Sequence, residues 1–408
     1  MERMARRGEF ASLWPISSTR ATAPSKMLAI PLALAVFSAG GAPATPSAPA
    51  RPEALRAWSI VGSGPATPHE VLCPYLELSP QGVPHLAYQD LGVAYSRLSI
   101  RRWDASAQAW SDVIAPGSGS VAQSWYNRFV FGPDGSLWHA AREYQQPTAM
   151  VHQLSRAGWR VLPTGASPGD AHYVDIDLLP DGRPVVVAQD GTSTPTNRTV
   201  VRVHDGQAWR TLGDAPASPG TAAYQSIAVR RDGVVLCAYS DSMAGGRPVV
   251  KRFDAGANQW LDCGQPNFSL ENAANLVLEI GPDGAPWLAW NLTFQKISVW
   301  RLAPDGWRQV GAEVDGADTP VVATENWRQW LCLRFDSQGR PWTAYQAANL
   351  QGRAVVKRFE EGQWRVVGEP AFTPAAADYL TFTLGSDDTP WVAFRDGLTR
   401  RGIVMAWR

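Results

Sequence analysis

A sentence of about fifty residues recurs through the 408-residue chain, and it limits the fold more than any other feature. Anchored on the glycine of a tight turn, its copies fall at Gly82, Gly135, Gly182, Gly233, Gly284 and Gly339, with Asp388 in the same slot of a seventh copy. The intervals are 53, 47, 51, 51, 55 and 49 residues. A period of that length marks a stack or ring of equal supersecondary units.

Each copy divides by its own hydrophobic period. A first stretch alternates, as in Tyr173 to Leu178 (YVDIDL) or Tyr224 to Val229 (YQSIAV), and reads as a strand with two different faces. The turn follows, with Pro and Gly supplying its backbone angles. A second strand runs over Pro84–Tyr88, Val185–Ala188, Val235–Tyr239, Pro286–Trp290, Pro341–Tyr345 and Pro390–Phe394. Its nearly constant alanine predicts a place where neighbouring backbones crowd. A third strand (Leu98–Trp103, Val249–Phe253, Val355–Phe359) leads to a fourth that opens on Trp110, Trp159, Trp209, Trp260, Trp307 or Trp364. Four strands per copy and no helical stretch predict an all-β, seven-bladed β-propeller with four-stranded blades.

The seventh copy has three strands, ending at Trp407. Near the other end, residues 58–62 (WSIVG) match Trp307 to Gly311 (WRQVG) and Trp364 to Gly368 (WRVVG). The amino-terminal strand is therefore expected to complete the last blade and close the ring, which would remove the open edges of a linear array. The propeller should occupy residues 58–408.

Residues 1–44 read differently. Arg3, Arg6, Arg7, Arg20 and Lys26 precede the apolar run Met27–Phe37, and small residues follow. Basic flank, short apolar core and small residues make a signal peptide with an extended basic region, too short to favour a membrane span. Residues 45–57 read as a Pro/Ala-rich linker. The expectation is a secreted or periplasmic protein with no transmembrane segment in the mature chain.

Thirty-seven basic residues offset thirty-seven acidic ones, so nothing marks a nucleic-acid surface. Cys73, Cys237, Cys263 and Cys332 lack metal-site spacing. Cys237 and Cys263 fall in the second and fourth strands of one blade, so buried thiols are expected rather than bridges. No G-x-S-x-G elbow, H-E-x-x-H helix or phosphate-cradling loop is present, and no cofactor or metal is indicated.

The ring geometry singles out candidate ligand residues. First strands should line the channel, with their starts and the ends of the second strands meeting on the face away from the turns. Nine residues before each anchor stand Cys73, Tyr126, Tyr173, Tyr224, Asn275, Trp330 and Tyr379, and seven after it Gln89, Arg142, Gln189, Ser240, Asn291, Gln346 and Arg395. Acids follow at Asp90, Glu143, Asp190, Asp241 and Asp396. A mostly aromatic ring beside amides, guanidiniums and carboxylates suits carbohydrate or another polar small molecule. The alternative is that these polar groups hydrogen-bond loop backbone or sit on a wet rim. The expanded loop from Asp315 to Trp330 adds Trp327. For chemistry, His172 could act as a base beside Tyr126, with Arg142 neutralising a substrate carboxylate. Asp190 and Asp241 could instead form a glycosidase pair.

With its P-D-G-x-P-W-x-A and W-x-x-V-G signatures, the repeat resembles the blades of secreted bacterial seven-bladed propellers, over residues 58 to 407. The resemblance is broadly to sialidase-like, lectin and lyase propellers, and implies a fold rather than one activity. The sialidase S-x-D-x-G-x-x-W box is not reproduced, since Pro282 to Trp287 lacks its serine and spacing. Ligand binding, polysaccharide cleavage by a lyase or glycoside hydrolase, and a scaffold for a protein partner are the three functional classes that follow.

Overall fold

The computed structural model describes residues 56–408 apart from 145, 147, 193–195, 293–295, 313 and 315–330. The expected signal peptide and most of the expected linker therefore lie outside the described residues, as do Trp327 and Trp330. Seven four-stranded antiparallel sheets form the blades, and in blades 1 to 6 the strands run from innermost to outermost in chain order. Blade 1 comprises Val71–Leu78, Pro84–Asp90, Leu98–Asp104 and Ala109–Asp112. The innermost strands of blades 2 to 7 are Ser124–Phe131, Ala171–Leu178, Ala222–Val229, Ala274–Ile280, Cys332–Phe335 and Ala377–Leu384.

Blade 7 closes the ring as its sequence requires. Its Pro390–Asp396 and Gly402–Trp407 are followed by Trp58–Ile60 as the outermost strand, with Trp58 opposite Trp407 and Ile60 opposite Met405. Among the described residues no helix is long and apolar enough to cross a membrane.

The core is a set of wedges between blades. Among the described residues seven buried clusters occur, one per interface; that between blades 4 and 5 contains Ala238, Val250, Leu276, Leu278, Trp290 and Trp307. The crowding alanine of the second strand sits in these wedges: Ala87, Ala140, Ala238, Ala289, Ala344 and Ala393 are all 0% exposed, and Val187 takes the place in blade 3. All four cysteines are free and buried. Burial pushes the Cys73 thiol up to about 12, so these groups act as small apolar side chains.

The W-x-x-V-G signature has a mechanical meaning. The fourth-strand indole of one blade donates to a carbonyl at the end of the preceding blade: Trp110 to Val61 (3.0 Å), Trp260 to Leu212 (2.9 Å), Trp307 to Cys263 (2.7 Å) and Trp364 to Val310 (3.1 Å). The glycine one residue on must let that indole approach. Gly264 has φ +85°, and a Cβ there would stand 2.7 Å from Trp307 Cδ1 and Nε1. Gly233 has the same φ in an open turn, its nearest neighbour Pro180 being 3.8 Å away. Gly264→Ala should therefore lose about 2 kcal/mol or more, against about 1 kcal/mol for Gly233→Ala from left-handed strain alone. Equal shifts of the two urea midpoints would contradict the indole contact as the reason for Gly264.

Candidate functional site

Strand alternation builds the axial channel. Seven residues before each anchor stand Tyr75, Arg128, Asp175, Ser226, Val277, Cys332 and Thr381, and five before it Glu77, Val130, Asp177, Ala228, Glu279, Arg334 and Thr383. The residues between them (Leu76, Phe129, Ile176, Ile227, Leu278, Leu333, Phe382) turn into the wedges and are buried. The two layers, mixed polar and apolar, face the axis and bound a cavity of about 560 Å³ to which all seven innermost strands contribute.

These side chains first serve the fold. The innermost strand of each blade is a sheet edge with unpaired N–H groups, and the neighbouring blade supplies acceptors. Asp175 Oδ2 accepts from Ile227 N (3.1 Å), Asp177 Oδ2 from Val229 N (2.7 Å), Ser226 Oγ from Leu278 N (3.1 Å) and Thr381 Oγ1 from Leu76 N (3.2 Å). Arg334 pairs with Glu279 and, at 3.4 Å, with Glu77. Arg128 lies 3.6 Å from Asp175 and 5.1 Å over the Tyr75 ring. Burial raises the carboxyls of Asp177 and Glu279 to about 7, against the pull of Arg334. Sequence reasoning passed over this layer, although the V-D-I-D alternation around Asp175 and Asp177 carried the signal.

At the other end of the innermost strands the backbone breaks register in the same place each time. The pairing shifts between Leu72 and Tyr75, Trp125 and Arg128, His172 and Asp175, Ala223 and Ser226, Ala274 and Val277, and Asp378 and Thr381. Inside each bulge one residue has left-handed backbone: Cys73 (φ 47°), Tyr126 (57°), Tyr173 (47°), Tyr224 (56°), Asn275 (49°) and Tyr379 (54°). Left-handed backbone costs a non-glycine residue about 1 kcal/mol, and a bulge re-aims its side chain.

The bulge residues do not share one environment. Tyr126, Tyr173 and Tyr224, on blades 2, 3 and 4, remain partly exposed and form an arc, with ring centroids 5.5 Å and 4.9 Å apart. Tyr379 is only 1% exposed and Cys73 is buried. Beside the arc, His172 has its ring centroid 6.5 Å from that of Tyr126. The Arg142 guanidinium lies against this imidazole, Nη1 standing 3.2 Å from Nδ1 and 3.3 Å from Nε2. Asp170 binds both, at 2.9 Å from Arg142 and 3.3 Å from His172. Burial and then the adjacent guanidinium lower the His172 pKa from its usual value, so the ring is neutral at neutral pH, while burial raises the Tyr126 phenol to about 12. His172, Tyr126 and Arg142 are thus brought together, and Asp170, which sequence reasoning did not select, organises them.

The polar ring is placed otherwise. The second strands run two residues farther than their polar ends suggest, to Asp90, Glu143, Asp190, Asp241 and Asp396, and pair there with the starts of the first strands. Gln89 is fully buried and its amide donates to Ser124 O; Gln189 donates to Ala222 O (2.5 Å). Asn291 and Gln346 are buried, Gln346 being 3.5 Å from Gly352 O and from Asp378. Arg395 donates to Asp378 (3.0 Å). Asp190 accepts from Thr192 N (3.0 Å) and Asp241 from Met243 N (2.9 Å), each capping its own loop. Of the two accounts of this ring, backbone hydrogen bonding describes Gln89, Gln189, Asp190 and Asp241 here, and only Arg142 joins the open arc.

No family model matches the chain, and no curated protein does. Solved structures resemble it in fold. A fungal alcohol oxidase of the AA5 family in complex with copper has a TM-score of 0.56 at 11% identity, covering 86% of this chain and 76% of that one. The extracellular domain of a putative hybrid two component system from B. thetaiotaomicron gives 0.52 at 10% identity, and the match spans 86% of this chain but only 39% of that one. AofleA from Arthrobotrys oligospora gives 0.50 at 14% identity, covering 77% of this chain and 90% of that one. At such identities the likeness carries the propeller fold alone.

Proposed function

We propose that this protein is an exported binding propeller that takes carbohydrate or another polar small molecule on the rim away from its turns. The observation that carries the reading is the arc of Tyr126, Tyr173 and Tyr224 beside the Arg142, Asp170 and His172 cluster. Aromatic rings stack on the apolar face of a sugar, while a guanidinium, a carboxylate and a neutral imidazole fix hydroxyl groups or an acidic substituent. Trp327 and Trp330 join the proposal by their place in the loop after blade 5. Export rests on the basic and apolar pattern of residues 1–44, and amino-terminal sequencing of the mature protein should begin near residue 45.

The test is a panel of glycans and polysaccharides offered to residues 56–408, with binding and product release read together. For a ligand so found, Tyr173→Ala and Arg142→Gln should each weaken binding at least tenfold, the range of one lost aromatic or charge-assisted contact. Unchanged affinity in both variants would remove the rim from consideration.

A lyase reading is the second one, favoured by a base kept neutral beside a phenol and a guanidinium. It requires product release that His172→Ala abolishes while binding persists.

A further inference from the structure

The two faces of the ring differ in what they expose. The turns joining first to second and third to fourth strands lie on one face, and the loops joining second to third strands and blade to blade reach the other, where the tyrosine arc opens. Among the described residues, five of the exposed large apolar side chains stand in second-to-third-strand loops: Leu91, Tyr95, Tyr144, Met243 and Leu398. Val121 and Leu270 stand on the same face in blade-linking loops, and Tyr95, Met243, Leu270 and Leu398 are each at least 75% exposed. The two others, Val161 and Val366, end outermost strands, and the turn face has none among the described residues. Exposed apolar side chains gathered on one side of a molecule mark a surface that meets something apolar.

The same loops carry basic residues that the repeat places at one height. The position facing the last residue of each second strand holds Arg198, Arg247, Lys296 and Arg353 in blades 3 to 6, opposite Asp190, Asp241, Leu292 and Ala347. Arg97 and Arg401 hold it in blades 1 and 7, their carbonyls accepting from Asp90 N (3.0 Å) and Asp396 N (2.9 Å). The acids opposite do not neutralise them. Asp90, Asp190 and Asp396 are buried and accept from Gly92, Thr192 and Thr399 N in their own loops. The guanidinium–carboxylate pairs of this face join Arg142 to Asp170, Arg395 to Asp378 and Arg400 to Glu70. Among the described residues, the side chains of Arg97, Arg198, Arg247, Arg353 and Arg401 are therefore in no ion pair. Against these five stand Asp241, which accepts from Met243 N, and the exposed Glu271.

From the apolar loop tips and the unpaired guanidiniums together, we infer that the loop face docks on an anionic lipid surface. The leucine, methionine and tyrosine tips enter the boundary between headgroups and acyl chains, and the basic ring at the strand starts meets the lipid phosphates. A soluble polyanion would satisfy the arginines but offers Leu91, Met243, Leu270 and Leu398 no apolar partner. A neutral surface would leave the arginines without one. The arc of Tyr126, Tyr173 and Tyr224 opens on this face, so in the docked protein a sugar held there belongs to the headgroup layer. Docking itself does not depend on that reading.

Both contributions have expected sizes. One guanidinium beside an anionic leaflet contributes about fivefold in partitioning, and the effect fades as salt shortens the Debye length. R247Q combined with R401Q should thus weaken partitioning about 25-fold. M243S combined with L398S removes two of the most exposed apolar tips and should weaken it at least tenfold, about what burying two such side chains supplies. All four side chains are exposed or half-buried, and none belongs to the arc or to its cluster of Arg142, Asp170 and His172. Each pair should therefore fold as wild type does.

The experiment is sedimentation of residues 56–408 with vesicles of phosphatidylcholine alone and of phosphatidylcholine with about one third phosphatidylglycerol, at about 0.1 M and about 0.5 M salt. Alginate serves as the soluble polyanion. The expected result is binding to the anionic vesicles, loosened by the higher salt and weakened as stated by both variant pairs, whose melting curves match wild type. No binding to anionic vesicles, equal binding to the neutral ones, alginate binding without vesicle binding, or unchanged binding in either folded pair would each overturn the assignment. The vesicles carry no sugar, which separates this result from the rim reading. A glycan bound at the arc by a protein that ignores vesicles would remove the docking and leave the rim reading standing, and vesicle binding with no glycan ligand would do the reverse.

Discussion

Trp58→Ala is expected to lower stability by about 3 kcal/mol, toward the low end of values for removing a large aromatic side chain because this one is only partly buried. Trp58 stands in a strand of three residues, yet it joins three parts of the ring. Its indole stacks on Phe372 with centroids 4.0 Å apart and planes 9° from parallel, and its Nε1 donates to Val367 O at 3.2 Å. Its backbone pairs with Trp407, and Val61 N extends the ladder to Val404 O at 2.9 Å. The contact spans 309 residues of sequence, so losing it opens the blade 7 wedge rather than one local turn. Deleting residues 56–62 altogether should be worse, because Gly402–Trp407 then becomes an unpaired edge strand prone to association. A urea midpoint for Trp58→Ala within 0.5 kcal/mol of wild type, with the deletion variant still monomeric, would show that this strand is dispensable for closure.

An equal or larger loss is expected in blade 2, where the repeat departs from its pattern. Trp159 does not make the indole bond that its counterparts make; it stacks on His152 at 5.3 Å and 10°. His152 Nε2 lies 3.2 Å from Glu143 Oε1, with both side chains at most 1% exposed, and Glu143 Oε2 accepts from Val121 N at 2.9 Å. On the far side His152 Nδ1 is 3.3 Å from His139 Nδ1, and His139 Nε2 is 3.1 Å from Asn127 Oδ1. The His152 Nε2 edge stands beside Glu143 Oε1 without a formed hydrogen bond; between the two histidines one Nδ1–H must donate to the other Nδ1, and when it is that of His139 its Nε2 is left an acceptor. Turning the Asn127 amide over then gives that acceptor a donor and employs Nδ2, which otherwise has no partner.

Removing the acid leaves the buried Val121 N–H without its acceptor and empties the space beside the His152 ring, so Glu143→Ala should lose about 3 kcal/mol. Glu143→Gln, which keeps an acceptor for Val121, should lose less. Stability of this network also depends on pH. Burial, then His152, holds His139 well below its usual pKa of 6.5. Its contribution is therefore intact above pH 6.5 and falls as pH drops, because the unfolded imidazole takes a proton that the folded one refuses. The channel acids Asp177 and Glu279 act in the opposite sense, binding protons in the fold up to about pH 7. The difference between wild type and His139→Gln isolates the first effect. A difference that does not change between pH 7.5 and pH 5 would mean that His139 takes up its proton equally readily in the folded and the unfolded chain.

The same contrast explains how much of the site the sequence revealed. Tyr126, Tyr173 and Tyr224 were found because a fixed offset from a turn places residues at one height in a ring, and Arg142 and His172 because they deviate from the average copy. Asp170 was missed since it precedes the strand and belongs to no repeated position. Gln89 and Gln189 were read as possible ligand groups because an amide looks the same in sequence whether it meets a sugar or the carbonyl of the next blade. Their partners, Ser124 O and Ala222 O, lie 35 and 33 residues away.

The sequence by itself determined the period, the alternation, the turns, the pinning tryptophans and the match between the first strand and the last blade, because each is a local pattern repeated until chance is excluded. Only the tertiary structure decided which polar residues are spent on neighbouring backbone, which three tyrosines stay open, and that four carboxylates meet two guanidiniums on the axis. Those outcomes depend on how adjacent blades approach one another. That approach is set by the summed packing of seven wedges, which no single repeat encodes.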